Sequence, residues 1–155
     1  MVNIAYLDTS ALVKLYISEV GSDWLKTFLT SGRPPAVFTS CLTMVEAACT
    51  FARRRREGTL PPVYHTQVLT NFDYDIRYKC KILDVEPMVI DAARRLANQH
   101  PLRAYDAVQL ATAWLLNTDL VHTGRPLLTF ICADDRLLAI AQAEGLLTDN
   151  PNHHR

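Results

Sequence analysis

Apolar residues along this chain alternate between short continuous runs and longer stretches with helical spacing. The continuous runs have strand length and cover 3–8, 34–40, 80–86 and 126–133, with 146–149 as a possible short last strand. Between them, apolar residues recur every three or four positions, as in amphipathic helices, over 9–19, 21–32, 41–58, 61–79, 87–100, 105–117 and 134–145. The pattern therefore predicts strands that are separated by helices.

Strands joined through helices form parallel sheets, because each right-handed crossover places a helix on one face of the sheet. We therefore expect an α/β fold whose sheet is covered on both faces. A length of 155 residues fits one domain. We assign residues 1–149 to that domain and expect residues 150–155, NPNHHR, to form a flexible tail.

Composition narrows the possible functions. Sixteen basic and sixteen acidic side chains cancel, so nucleic-acid binding would depend on local patches and not on overall charge. The four cysteines, Cys41, Cys49, Cys80 and Cys132, form no CxxC pair and are expected to be reduced core thiols. No signal peptide pattern occurs, and no apolar run approaches the roughly 20 residues that span a bilayer, so a cytoplasmic protein without a membrane segment is expected.

Four acidic residues occur where the pattern calls for apolar ones. Asp8 and Asp134 directly follow apolar strand segments, and Asp106 opens the most apolar helix. Glu46 lies on or beside the inward face of its helix. An isolated buried carboxylate is costly, so these four are the candidates for a functional site.

Each of these acids also has a purely structural interpretation. Asp8, Asp106 and Asp134 stand where an N-cap aspartate would stabilise a helix by about 1 kcal/mol. Glu46 taken alone could be a helix-edge side chain that reaches solvent. The adjacent Asp134 and Asp135 differ in register, because Asp134 heads the inward face of its helix and Asp135 lies nearer the edge of that face.

The case for function rests on the four acids together. Carboxylates that converge in one cleft repel one another unless a cation lies between them. Oxygen-only ligand sets suit Mg²⁺ or Mn²⁺ and suit zinc or copper poorly. Such ions activate water and stabilise the charge that develops on an attacked phosphate, which makes phosphodiester hydrolysis the expected chemistry.

Four segments carry these acids: YLDTSALVKLY, TMVEAACTFARRRREG, LRAYDAVQLATA and FICADDRLLAIAQAEGL. In this order they resemble the acidic motifs of PIN-domain nucleases, most closely the VapC-type toxins of prokaryotic toxin–antitoxin pairs. The similarity runs over almost the whole chain, although residues 60–100 match only in the pattern of helices and strands.

The resemblance carries the family's acidic quartet onto Asp8, Glu46, Asp106 and Asp134, and its supporting hydroxyl onto Ser10. It implies a three-layer sandwich with a central parallel, roughly five-stranded sheet. It also implies Mg²⁺- or Mn²⁺-dependent cleavage of single-stranded RNA, a homodimer and inhibition by a small antitoxin protein. Where the family often has Ser or Thr two residues before the fourth acid, this chain has Cys132.

Basic residues near these motifs are candidates for contacts with RNA or antitoxin. Arg53 opens an RRRR run that also suits the negative end of a helix dipole. Lys14 follows Asp8 on the first predicted helix, and Arg103 precedes Asp106 by three residues. Each could contact RNA phosphates.

Two other functions remain open from the sequence. One is a catalytically weak PIN-like module that mainly binds a partner protein or RNA. The other is a phospho-receiver switch, which also gathers acids at strand tips. That fold normally has a lysine at the end of its last strand, and LLTD offers none.

Overall fold

The structure is a computed structural model that describes residues 2–154. Its strands are β1 (Ile4–Leu7), β2 (Ala36–Ser40), β3 (Cys80–Leu83), β4 (Leu128–Ile131) and β5 (Leu147–Asp149). Its α-helices are α1 (Thr9–Leu12), α2 (Ser22–Thr30), α3 (Leu42–Arg56), α4 (Pro62–Tyr78), α5 (Pro87–Gln99), α6 (Ala104–His122) and α7 (Asp135–Ala143). Two 3₁₀ turns cover Val13–Leu15 and Pro151–His153.

The five strands form one sheet in the order β3-β2-β1-β4-β5, and all pairings are parallel. The predicted α/β fold with a parallel sheet is therefore confirmed. The chain builds outward from β1 to β3 and then returns to β4 on the other side of β1. This places a switch in strand order between β1 and β4, where ligands of such folds bind beside the carboxyl ends of the strands.

Alternate residues of β1 enter two separate cores. Ile4 and Tyr6 face the core that α5, α6 and α7 cover, where the Tyr6 ring stacks on Phe130 with 5.6 Å between ring centroids. Ala5 and Leu7 face the core under α1 to α4. The apolar run is thus buried on both faces, as a central parallel strand requires.

Two helices differ in extent from the sequence prediction. The helix expected over 9–19 ends at Leu12 and continues only as the 3₁₀ turn. The following loop folds back because the Lys14 ammonium donates to Glu19 and to the backbone oxygen of Val20. In contrast, α6 continues beyond Asn117, whose side chain accepts the backbone N–H of Leu128.

The end of the chain also differs from the prediction of a flexible tail, because residues 150–154 pack against the domain. Pro151 is buried and lies against Gly21, and the His154 ring stacks on Trp24 at 3.9 Å between centroids. Asn150 caps the last 3₁₀ turn and donates to Asp135. The polar composition of this segment concealed these contacts. Among residues 2–154, none of the helices combines the length and apolar character that crossing a bilayer requires.

Candidate active site

A cleft of about 700 Å³ opens at the carboxyl ends of the strands, and all four predicted acids line it. Asp8 follows β1 and Asp134 follows β4, the two strands that flank the switch in strand order. Glu46 comes from the first turns of α3, and Asp106 from the first turn of α6. The fold thus brings together side chains that are up to 126 residues apart in sequence.

Asp8 is the most buried of the four acids, with 5% of its surface exposed. It caps α1 by accepting the backbone N–H of Ala11 at 3.2 Å, and the Ser10 hydroxyl donates to the same oxygen at 2.6 Å. Burial raises the pKa of Asp8 to about 6, with a smaller contribution from the charge of Glu46. The predicted role of Ser10 as a neighbour of the first acid fits this contact.

The thiol of Cys132 occupies the place where the family often has a hydroxyl. It donates to the second carboxylate oxygen of Asp8 at 3.4 Å and accepts the backbone N–H of Asp134 at 3.3 Å. Burial raises the pKa of this thiol, so it remains a neutral donor. The Ser10 hydroxyl also accepts the backbone N–H of Ala133 at 2.9 Å. These contacts join the tips of β1 and β4.

A buried hydrogen-bond network that sequence reasoning missed holds Glu46. The amide nitrogen of Gln109 lies 2.8 Å from Glu46 Oε1, and the Thr9 hydroxyl donates to the same oxygen at 2.9 Å. The Gln109 amide oxygen accepts the Tyr6 hydroxyl at 2.7 Å, and its nitrogen also lies 2.8 Å from the Thr43 hydroxyl. The sequence feature that could have indicated this network is Gln109 itself, a polar residue inside an otherwise apolar helix, three residues after Asp106.

Asp106 is the third residue of α6 and not its cap, because the helix begins at Ala104 with Arg103 in the cap position. The capping interpretation therefore holds for Asp8 and Asp134 but not for Asp106. Partial burial raises the pKa of Asp106, and the nearby charge of Asp134 adds to this rise. Arg103 opposes it, with its Nε 3.8 Å from Asp106.

The adjacent aspartates face different surroundings. Asp134 lines the cleft and also caps α7, accepting the backbone N–H of Arg136 at 2.9 Å. Asp135 lies outside the cleft and accepts the side-chain amide of Asn150 at 2.7 Å, a bond that lowers the pKa of Asp135. Capping and a place in the cleft are thus compatible for Asp134, since its second oxygen remains available.

The four acids have the donor chemistry of a hard-cation site. No salt bridge among residues 2–154 involves Asp8, Glu46 or Asp134. A divalent cation would offset this negative charge, and carboxylate oxygens suit Mg²⁺ or Mn²⁺. Within the same residues, however, no three His, Cys, Asp or Glu side chains already form a group that could hold a metal ion.

The predicted basic contacts fall into two groups. Arg53 and Arg103 are exposed at the rim of the cleft, where RNA phosphates could reach them. Lys14 borders the cleft but is 4% exposed, and its ammonium is held by Glu19 at 2.9 Å and by a backbone oxygen. Its burial and pairing make Lys14 a structural residue, contrary to the prediction of an RNA contact.

Three further cleft residues were missed from the sequence. Tyr105 is 60% exposed at the rim beside Asp106, and Asn152 enters the cleft from the terminal turn. Cys49 is exposed and lines the cleft, so the prediction that every cysteine is a core thiol is wrong for this one. Residues at the rim leave no trace in the apolar periodicity of the sequence, because they are not part of the buried core.

A parallel sheet that presents four carboxylates in one cleft at its switch point defines an α/β protein suited to a divalent cation and a phosphorylated ligand. The family model described as PIN domain matches residues 5–127. The chain therefore belongs to the PIN-domain family, and the resemblance inferred from the four acidic motifs is confirmed.

Relatives of similar length strengthen this assignment. The chain is 33% identical to Ribonuclease VapC47 of Mycobacterium tuberculosis (strain CDC 1551 / Oshkosh) over 151 residues, which cover 94% of this chain and 96% of that protein. It is also 33% identical to Ribonuclease VapC35 of the same strain, with 97% and 98% of the two chains covered.

Solved structures share the fold at low sequence identity. DNA-bound VapBC from Salmonella typhimurium matches with a TM-score of 0.64 and 13% identity, covering 97% of this chain and 99% of that chain. A toxin–antitoxin complex from Klebsiella pneumoniae matches with a TM-score of 0.60 and 19% identity, covering 95% and 97%. These matches confirm the three-layer architecture.

Proposed function

We propose that this chain is a Mg²⁺- or Mn²⁺-dependent endoribonuclease that acts in the cytoplasm as the toxin of a toxin–antitoxin pair. The observation that carries the proposal is the placement of Asp8, Glu46, Asp106 and Asp134 in one cleft at the switch point. The relatives named Ribonuclease VapC support RNA as the substrate.

In this proposal, Asp8, Asp106 and Asp134 hold the cation together with Glu46. When bound, a divalent ion would activate a water and would stabilise the charge on the attacked phosphate. Ser10 and the Cys132 thiol fix the two oxygens of Asp8, which keeps that side chain in one orientation. No nucleophilic side chain is required for this hydrolysis.

The rim of the cleft supplies contacts to single-stranded RNA. Arg53 and Arg103 bind phosphates on either side of the acids, which prevents the carboxylates from repelling the substrate. The exposed ring of Tyr105 offers a face on which an unpaired base can stack. Single strands fit this arrangement because their bases are free to turn out of the stack.

A small antitoxin is the proposed inhibitory partner. Matched solved structures are a toxin–antitoxin complex and a VapBC complex, which supports a partner for this chain as well. We propose that the antitoxin covers the cleft and that the toxin is a homodimer, as the family resemblance implies.

A catalytically weak module that mainly binds RNA or a partner protein is the second candidate. One observation favours it: among residues 2–154, no three His, Cys, Asp or Glu side chains form a group that could hold a metal ion. Under this alternative the cleft binds RNA through Arg53 and Arg103 without turnover.

The decisive experiment compares RNA cleavage by the purified, antitoxin-free protein in Mg²⁺, Mn²⁺ and EDTA. Asp8→Asn and Asp134→Asn should each reduce the rate about 100-fold or more, because a metal ligand is lost. Asp135→Asn is the matched control and should retain activity. Mn²⁺ binding, measured by electron paramagnetic resonance, should weaken in the first two variants only.

Equal cleavage by the wild type and both cleft variants would refute the nuclease proposal. RNA binding in EDTA without any metal-dependent cleavage would instead establish the binding module. Loss of activity in Asp135→Asn but not in Asp134→Asn would show that the two adjacent carboxylates were assigned in the wrong order.

A further inference from the structure

A second cavity of about 420 Å³ adjoins the cleft on the far side of the acids. The two cavities share Arg103, Asp106 and Asp134, so these residues stand between them. Pockets for small ligands typically measure about 300–1,000 Å³, and this one is within that range. A ligand with its reacting group at the acids would extend into both cavities.

Apart from Arg136 and the three shared residues, the wall of the second cavity is apolar. Its apolar residues are Pro101 and Leu102, which precede α6, and Leu137 and Ile140 on α7. Leu102 and Ile140 are partly buried and pack against the core cluster that includes Leu137. The wall is therefore held in place by the core, and it suits the face of a planar ring and not a second cation.

Positive charge lies at the opening of this cavity. Arg103 is shared with the main cleft, and Arg136 is an exposed residue in the first turn of α7. Among residues 2–154, Arg136 forms no salt bridge through its side chain. Because Arg53 lines only the main cleft and Arg136 only the second cavity, arginines lie on both sides of the shared acids.

We propose that the second cavity is a nucleotide subsite, which binds the base next to the cleaved phosphate and so sets base preference at that position. The base lies against Leu102 and Ile140, and Arg136 binds the adjoining phosphate. This inference rests on the proposed ribonuclease function and adds the residues that select the cut site. A paired base could not enter the cavity, which restricts cleavage to unpaired regions.

Three variants test the subsite. Arg136→Ala removes the phosphate contact, Ile140→Trp fills the apolar wall, and Arg125→Ala is the matched control. Arg125 is an exposed arginine that precedes β4 at the amino end of the sheet, away from both cavities. The readouts are the affinity for a short single-stranded RNA in EDTA, by fluorescence anisotropy, and the bases flanking the cuts in a randomised RNA with Mn²⁺.

Arg136→Ala should weaken RNA binding about tenfold and reduce the slope of log affinity against log salt by about one. Ile140→Trp should lower kcat/KM about tenfold or more and change the preferred base on one side of the cut. Arg125→Ala should match the wild type in both readouts. If Ile140→Trp does not fold, Ile140→Ala replaces it and should broaden the base preference.

Failure of the subsite can be distinguished from failure of the nuclease proposal. If the wild type cleaves RNA but Arg136→Ala and the Ile140 variants keep its affinity and its cut-site bases, the subsite is refuted and the nuclease proposal stands. Weaker binding with unchanged cut-site bases would make Arg136 a general phosphate contact and also refute the base pocket. If the wild type cuts no RNA, the nuclease proposal fails and the subsite's role in selecting a cut site fails with it.

Discussion

The amide nitrogen of Gln109 lies 2.8 Å from the carboxylate of Glu46, inside a buried network between α6 and α3. We predict that Gln109→Leu destabilises the protein by about 1–3 kcal/mol, because the buried Tyr6 hydroxyl loses its acceptor and Glu46 loses a donor. Cleavage should slow about 10- to 100-fold through kcat, with KM unchanged, because Gln109 positions Glu46 and does not touch RNA.

Urea unfolding and steady-state kinetics check this prediction. The matched control is Gln67→Leu, which changes an exposed glutamine on α4 and should alter neither quantity. A rise in KM at constant kcat would show that Gln109 acts on RNA binding and not on Glu46.

Asp8 should make the metal-free protein less stable at neutral pH than at acid pH. Its pKa is about 6 in the folded state and 3.8 for an ordinary aspartate, so the folded state binds its proton more tightly. Ionisation therefore costs stability as the pH rises from about 4 through 6, by up to about 3 kcal/mol. In EDTA at pH 8, Asp8→Asn should be more stable than the wild type by up to that amount, and the advantage should vanish near pH 4.

Asp135→Asn should change stability at pH 8 in the opposite direction to Asp8→Asn. Its hydrogen bond to Asn150 lowers the pKa of Asp135, so the ionised form stabilises the folded state above the ordinary pKa. The variant should be slightly less stable than the wild type at pH 8. Urea unfolding curves at several pH values measure both variants, and a stability gain for Asp135→Asn at pH 8 would contradict this account.

Substitution of Lys14 should lower stability without affecting RNA binding, and substitution of Arg53 should do the reverse. Lys14→Met removes a buried ammonium from Glu19 and should cost about 1–3 kcal/mol of stability, since Glu19 keeps its pairing with Arg54. RNA affinity in EDTA should not change. Arg53→Ala should leave stability within about 0.5 kcal/mol and reduce the salt slope of RNA binding by about one.

Thermal unfolding and fluorescence anisotropy measure these two quantities for each variant. Weaker RNA binding by a fully folded Lys14→Met would restore Lys14 as an RNA contact. Unchanged binding by Arg53→Ala would show that Arg53 does not contact RNA phosphates.

Gly21 and Gly32 offer a matched test of the terminal turn. Both have positive φ, 85° and 67°, so alanine strains the backbone at either position by about 1–2 kcal/mol. A Cβ at Gly21 would also lie 2.5 Å from the backbone of Pro151, whereas nothing lies within 4 Å of one at Gly32. Gly21→Ala should therefore cost more in total, about 2–5 kcal/mol.

Unfolding in urea measures this difference. With Trp114 replaced by Phe in every protein compared, tryptophan emission reports on the turn, because His154 stacks on the Trp24 ring. Gly21→Ala should change the emission of the folded protein, while Gly32→Ala should not. Equal costs and unchanged emission in both variants would show that the approach of Pro151 to Gly21 contributes nothing to stability.

Periodicity predicted the order of helices and strands well because the sheet is buried on both faces. Each strand therefore appears as a continuous apolar run, and each helix must be amphipathic. The four acids were recognisable for the same reason, since Asp8 and Asp134 directly follow buried strands. Helix register distinguished Asp134 from its neighbour Asp135.

The parts that sequence reasoning missed depend on contacts between distant segments. Gln109 could be seen as a polar residue in an apolar helix, but its partners Thr9 and Glu46 become neighbours only when α6 packs beside α1 and α3. Lys14 appeared to be a surface cation because its partner Glu19 lies in a loop that had been predicted as helix. Polar composition likewise gave no sign that the terminal turn is packed.

The docked terminal turn has a practical consequence for how the protein is purified. Asn152 lines the cleft, and only three residues would separate it from a histidine-rich affinity tag fused after Arg155. Its imidazoles would bring transition-metal ligands to an acidic site, so the metal dependence measured with such a tag would not be that of the four carboxylates alone. A tag ahead of β1 would join the chain at the amino end of the sheet, on the opposite side of the domain from the carboxylates.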